Sequence, residues 1–304
     1  MTSDFQALKN FNFNNSTVYL WVYKNSERDI RFRTHYVQTD RELNNDFKSI
    51  ASTELNRITE QSPYSPITQV NESGCLALTC NDTDFDLLKT QVNRLETENR
   101  VTSVDQLKGT MGYVVKFIHN NITVYGVRRS SSSFQTKYNK SFINIMFSNG
   151  VLSGIQDNSF SIKKDFDFYV INNTIFMANK RGFETAMQHK DAYVDAFIQL
   201  KQSSPFLSLF TEIQPIDEYV GTNSMQLRRM TVVEMKGIYN NPNFLTILQS
   251  VNNTRQWGIN FDAASGKIIP CANTMQVILQ TLLDHRLISE VTSNMYDVPD
   301  ATQL

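Results

Sequence analysis

Gly112 to His119 (GYVVKFIH), the pair Asn120-Asn121 and Ile122 to Arg129 (ITVYGVRR) decide the fold class. Two runs rich in β-branched and aromatic residues, parted by two asparagines, predict a β-hairpin. Asn tolerates the positive φ that a tight two-residue turn needs. Downstream, strands are predicted at Phe142 to Phe147 and Phe160 to Lys163, then a second hairpin, Phe166 to Ile171 and Thr174 to Ala178, about Asn172-Asn173. Upstream, Thr17 to Lys24 (TVYLWVYK) and Ile30 to Val37 (IRFRTHYV) read as a hairpin or meander. From Asp40, a fitting N-cap, Leu43, Phe47, Ile50, Leu55 and Ile58 take a helical period, which Ser62-Pro63-Tyr64-Ser65-Pro66 breaks. A second short helix is predicted over Asp84 to Asn99.

Past Arg181-Gly182 the period changes. Phe183, Ala186, Met187, Val194, Phe197 and Ile198 read as the apolar stripe of one helix ending before Pro205. Further helices are predicted near Pro205 to Ile213, Asn223 to Tyr239, Pro242 to Val251 and Thr274 to His285, with a short β piece at Trp257 to Phe261 and Lys267 to Ile269. The predicted class is α+β. An N-terminal α/β part covers 1–105, and a second region, 106–304, divides into a β-sheet part over 106–181 and a mainly helical part over 182–304.

At 304 residues, 40% hydrophobic and 19% charged, the chain excludes a disordered or collagen-like protein. It can bury about three quarters of its unfolded surface without a metal or disulfide staple. No run approaches 18 apolar residues, and the start lacks a secretory pattern. Three cysteines, Cys75, Cys80 and Cys271, fit free thiols in a reducing compartment, so a cytoplasmic protein is expected. Cys75 and Cys80 lack the second pair or nearby His that a zinc site needs. The four histidines (His35, His119, His189, His285) have no partners at ligand spacing, and no nucleophile-elbow, dinucleotide or P-loop motif occurs. No catalytic residue, metal or cofactor is assigned.

Charge is more informative. Residues 1–105 carry 11 Lys/Arg against 15 Asp/Glu, and residues 182–304 carry 8 against 12. Residues 106–181 carry 10 basic side chains and only Asp157, Asp165 and Asp167. Within them, 106–156 hold no acid at all, where the chain average gives about five. The run from Arg128-Arg129 through Phe134, Lys137 and Tyr138 to Lys140 is rich in hydroxyls, cations and aromatics, the groups that hold phosphate oxygens and stack on bases. Lys163-Lys164 and Lys180-Arg181 are expected at neighbouring strand ends. The sequence therefore predicts a polyanion-binding surface made of Arg128, Arg129, Lys137, Lys140, Lys163, Lys164, Lys180 and Arg181. The bland alternative is a protein-only scaffold whose excess cations pair with acids of its own chain or of a partner subunit.

A rival chemistry starts from Pro215-Ile216-Asp217 and Glu234-Met235-Lys236. A Mg²⁺-dependent nuclease would use Asp217 and Glu234 to hold the metal and Lys236 to orient water. That needs Glu234 and Lys236 on one face of a strand. The spacing of Met225, Leu227, Met230 and Val233 predicts a helix instead, which would splay them apart.

Two stretches carry a family resemblance. Phe166 to Ile171 with Thr174 to Ala178 and Gly182-Phe183-Glu184 forms a strand, turn, strand and helix start. Leu283-Asp284-His285-Arg286-Leu287-Ile288-Ser289-Glu290-Val291-Thr292 with Tyr296-Asp297-Val298 forms a C-terminal signature, with His285 where an acid is expected. Together they resemble the KwaB proteins of the bacterial Kiwa anti-phage defence system, over about residues 105–304. The resemblance implies a cytoplasmic, non-catalytic, DNA-binding defence protein. It also implies a homodimer or higher homo-oligomer, recruited to the cytoplasmic face of the inner membrane by a KwaA-like membrane protein. Phe183, Leu287 and Tyr296 are assigned to packing.

Overall fold

The computed structural model describes residues 2–25, 31–79, 83–97, 99–107, 109–129, 145–148, 151–154, 163–289, 292 and 294–298. The chain divides into two compact units, Met1–Tyr64 with Val70–Met187, and Ser65–Gln69 with Gln188–Leu304.

The first unit contains, in order, α1 (Ser3–Lys9), β1 (Thr17–Asn25), β2 (Phe32–Val37), α2 (Arg41–Arg57), β3 (Glu60–Pro63), β4 (Gly74–Thr79), α3 (Thr83–Val92), β5 (Gly112–His119) and β6 (Ile122–Arg129). After these come β7 (Ile145–Ser148), β8 (Val151–Gly154), β9 (Phe168–Ile171), β10 (Thr174–Met177) and α4 (Lys180–Ala186). Eight strands form one sheet in the order β2-β1-β5-β6-β9-β10-β4-β3, while β7 and β8 pair as a separate ribbon. Every neighbour in the sheet is antiparallel except β3 and β4.

Both sheet faces are covered, which is why the central strands read as nearly unbroken apolar runs rather than as alternating ones. Leu20, Val22, Tyr113, Val115, Phe117, Val124 and Tyr169 join a core with Phe5 and Leu8 of α1 and Phe47, Ala51 and Leu55 of α2. The alternate residues Trp21, Tyr23, Val114, Val127, Phe168 and Val170 pack with Phe85, Leu88 and Val92 of α3 and Phe183 of α4. Each such side chain contributes about 1.5–3 kcal/mol by leaving water. The central hairpin turns as expected, with Asn120 and Asn121 at φ 48° and 62°. At Asp40 the side chain caps α2, accepting from the Leu43 amide at 2.8 Å.

Three expectations are corrected. The break at residue 105 does not separate folding units, because β1 pairs with β5 along seven residues from Thr17↔Ile118 to Tyr23↔Gly112. The helix expected across Phe183 to Ile198 is two: α4 stops, Gln188 takes a left-handed φ of 52°, and α5 (His189–Leu200) begins in the second unit. Consequently Val194 and Ile198 are exposed, and Tyr193, Phe197 and Leu200 supply the buried stripe. The helix of Asp84 to Asn99 ends at Val92. Of the strand expected at Phe160 to Lys163, positions 160–162 lie outside the described residues, and Lys163 is irregular.

The second unit continues with α6 (Ser204–Ser208), α7 (Gln214–Val220), α8 (Ser224–Lys236), α9 (Phe244–Arg255), β11 (Asn260–Phe261), β12 (Ile268–Ile269), α10 (Met275–Leu282), β13 (Arg286–Ile288) and β14 (Met295–Asp297). Its helices enclose Phe206, Met230, Val233, Ile278 and Leu279. The C-terminal signature builds the β13–β14 ribbon. There Leu287 and Tyr296 are directly opposed but 39% and 48% exposed, so their expected packing role fails where that of Phe183, fully buried, holds. The fold is α+β.

Candidate nucleic-acid interface

With both faces covered by described helices, the strand ends are a part of the sheet left to meet a large ligand. At one rim the register brings together the ends of β1 and β6 and the starts of β2, β5 and β9, with the end of β10 leading into α4. Of the expected cations, Arg128, Arg129, Lys163, Lys164, Lys180 and Arg181 all fall at this rim. Lys137 and Lys140, with Phe134 and Tyr138, lie outside the described residues.

The rim is organised by one buried acid. Asp167, 1% exposed, accepts from Arg128 Nη1 at 2.9 Å, from the Arg129 amide at 2.6 Å and from Asn179 Nδ2 at 2.8 Å. Burial pushes its carboxyl above the usual range, and the Arg129 amide and the Arg128 charge oppose that rise. Asn179 in turn caps α4 by accepting from the Gly182 amide at 3.1 Å. A side chain at Gly182 would run into the Asp167 carboxylate, so glycine is required there by space alone.

This node sorts the expected phosphate contacts. Arg128 is 5% exposed and also bonds Asp165 at 2.9 Å, so it holds the rim together and does not face a ligand. That corrects its assignment. Lys180 is half-buried, 3.9 Å from Glu184 and over the Tyr64 ring. Lys163, Lys164 and Arg181 are exposed, Arg129 is partly so, and the buried Arg129 Nε has no hydrogen-bond partner among the described residues. The protein-only alternative is therefore met for Arg128 and in part for Lys180.

Strand pairing adds cations that local sequence could not assign to this rim. Lys24 is the last residue but one of β1, Arg31 directly precedes β2 and Arg33 is its second residue. Arg31 donates to the Met187 carbonyl at 2.7 Å and lies over Phe32. The alternating basic residues of IRFRTHYV were visible, but only the long-range pairing of β1 with β5 brings them to the rim that holds Arg129. At the opposite rim, the turns Asn120-Asn121 and Asn172-Asn173 and the ends Thr17 and Thr79 are uncharged.

The nuclease constellation is not assembled. Glu234 and Lys236 lie on α8, a helix, and Lys236 donates to the Leu283 carbonyl at 2.7 Å. Asp217 lies on α7, paired with Lys201 at 2.6 Å. Among the described residues, no group of three or more His, Cys, Asp or Glu could hold a metal ion. Cys75 is buried, and burial pushes its thiol up to about 12, which makes it a poor nucleophile or ligand. No described helix is long and apolar enough to cross a membrane.

No curated protein and no solved structure matches the chain. Residues 107–292 match the model of the family described as Kiwa protein KwaB-like, a span that runs from the start of the central hairpin through the β13 signature. That span is more than half of the sequence, so the chain belongs to the KwaB-like family and is a component of the Kiwa anti-phage defence system.

Proposed function

We propose that the protein binds duplex DNA through the cationic rim of its sheet, without cutting it, and so restrains phage replication or expression. The observation that carries this reading is the gathering of Arg129, Lys163, Lys164 and Arg181 at one rim of a sheet whose opposite rim ends in uncharged turns. Cations in a row neutralise successive phosphates, and the released counterions supply affinity without sequence readout. Lys180 adds its charge from a half-buried position. In this reading the protein works as a homo-oligomer with a KwaA-like membrane partner, which brings it to the cytoplasmic face of the inner membrane. Family membership supports that partnership.

The test is binding of a fluorescein-labelled duplex, followed by anisotropy across a salt series with Mg²⁺ present. Wild type is compared with a variant carrying Ala at Arg129, Lys163, Lys164 and Arg181. Loss of four phosphate contacts should flatten the slope of log K against log salt by about 3.6, at roughly 0.9 per phosphate. The DNA should remain intact. A folded wild type that does not bind would sink the reading, and cleavage of the duplex would refute its non-enzymatic part.

A further inference from the structure

The β1–β2 end of the rim carries a pairing that works against the stability of the sheet. Lys24 and Arg33 are directly opposite each other across the ladder, where like charges destabilise a strand pair. His35 lies two residues further along β2, opposite Val22, and shares their face because alternate strand residues do. The three groups repel one another. Burial and then the Arg33 charge lower the Lys24 pKa, while burial and then the charges of Lys24 and Arg33 lower that of His35. Among the described residues, neither Lys24 nor Arg33 has a carboxylate partner. Arg33 is exposed and Lys24 partly so, and a cation pair kept together without an acid is a seat for an external anion.

The seat lies at the same rim, on the sheet face of Val22 and Tyr113, while Arg129 shares a row with Gly112 and Tyr23 on the other face. From β2 through β1, β5, β6 and β9 to β10 there are five strand spacings. At about 4.8 Å each, these place the two ends of the row about 24 Å apart. Duplex DNA advances about 3.4 Å per base pair, so the row matches about seven base pairs. Lys24 and Arg33 also lie before residue 107, outside the segment that matches the family.

Resting on the DNA reading above, we propose that Lys24 and Arg33 form a phosphate seat that extends the same track, so that one protomer contacts about seven base pairs across its strand ends. The N-terminal third is then part of the binding surface rather than a support for it.

The test repeats the salt series on two further variants. Lys24→Ala/Arg33→Ala removes both contacts. Lys24→Glu removes one cation and gives Arg33 an internal partner. Either should flatten the salt slope by about 1.8, and neither should lower the melting temperature, because each relieves a like-charge pair. Lys24→Arg/Arg33→Lys, which keeps both charges, should retain the wild-type slope. Unchanged slopes in the first two variants, with the wild type binding, would overturn the seat and leave the DNA reading standing. No binding by the wild type would remove both. If the double alanine variant melts early, Lys24→Glu alone decides, since the new pair supports the fold.

Discussion

The two rims of the eight-stranded sheet are opposite ends of the same strands, yet they solve different problems. One closes β5–β6 and β9–β10 with Asn pairs, with Asn120 and Asn121 at positive φ in the central turn, and carries no cation in those turns. The other holds the buried Asp167, which bonds the Arg129 amide, and the strand ends there carry Lys24, Arg33, Arg129, Lys163, Lys164 and Arg181. A strand end can be made cheaply with asparagines. A row of like charges costs stability, a cost that the proposed DNA ligand would offset.

The comparison can be broken first at Arg128. If it is the structural cation of the rim, Arg128→Ala leaves Asp167 as an uncompensated buried charge and should destabilise the first unit by about 3–5 kcal/mol in urea unfolding. Full stability with weakened DNA binding would return Arg128 to the ligand-facing set. At the uncharged rim, Asn121→Ala forces a residue with a Cβ into the left-handed region at φ 62° and should cost about 1–2 kcal/mol. Its DNA salt slope should match wild type once folded, and a changed slope would contradict the one-sided surface.

Lys48 offers a control. Its ammonium donates to the Asn14 carbonyl at 3.1 Å, just before β1 begins at the uncharged rim, and Lys48→Ala should leave the slope within error of wild type.

The smallest effect is a titration. Burial and then the charges of Lys24 and Arg33 lower the His35 pKa against a hydrogen bond to the Asn99 backbone, so in the folded chain it takes its proton at lower pH than in the unfolded chain, where the value is about 6.5. Stability should thus be unaffected by His35 above about pH 6.5 and decline as pH falls through that value toward the lowered one. Titration of the His35 ring by NMR should show a pKa below 6.5 that rises in Lys24→Ala. A pKa unchanged by that variant would mean that the cations do not meet.

Much of the fold was legible because it is local. The Asn-Asn turns, the Asp40 cap and the helical spacing of α2 and α8 are written within a few residues of where they act. What escaped was long-range or short. The eight-strand order places β1 beside β5, and β10 between β9 and β4, pairings that no local pattern encodes. The left-handed Gln188 splits a continuous apolar period that looked like one helix. Three- and seven-residue elements such as β13, β14, α1 and α7 hold too few repeats of their period, 2 or 3.6 residues, to stand out.

For the candidate site, charge counting located the basic segment. It could not distinguish Arg128, turned inward to two acids, from Arg129, the next residue on the other face of the strand. Nor could it add Lys24 and Arg33, which stand in a segment of net negative charge.

The most direct measurement reads both rims at once: lysine acetylation mapped by mass spectrometry, with and without a short duplex. DNA should protect Lys163, Lys164 and Lys24 and leave Lys48 and Lys116 reacting as in the free protein. Equal protection of all five, or protection of Lys48 with Lys163 and Lys164 unchanged, would contradict a binding surface confined to the cationic rim.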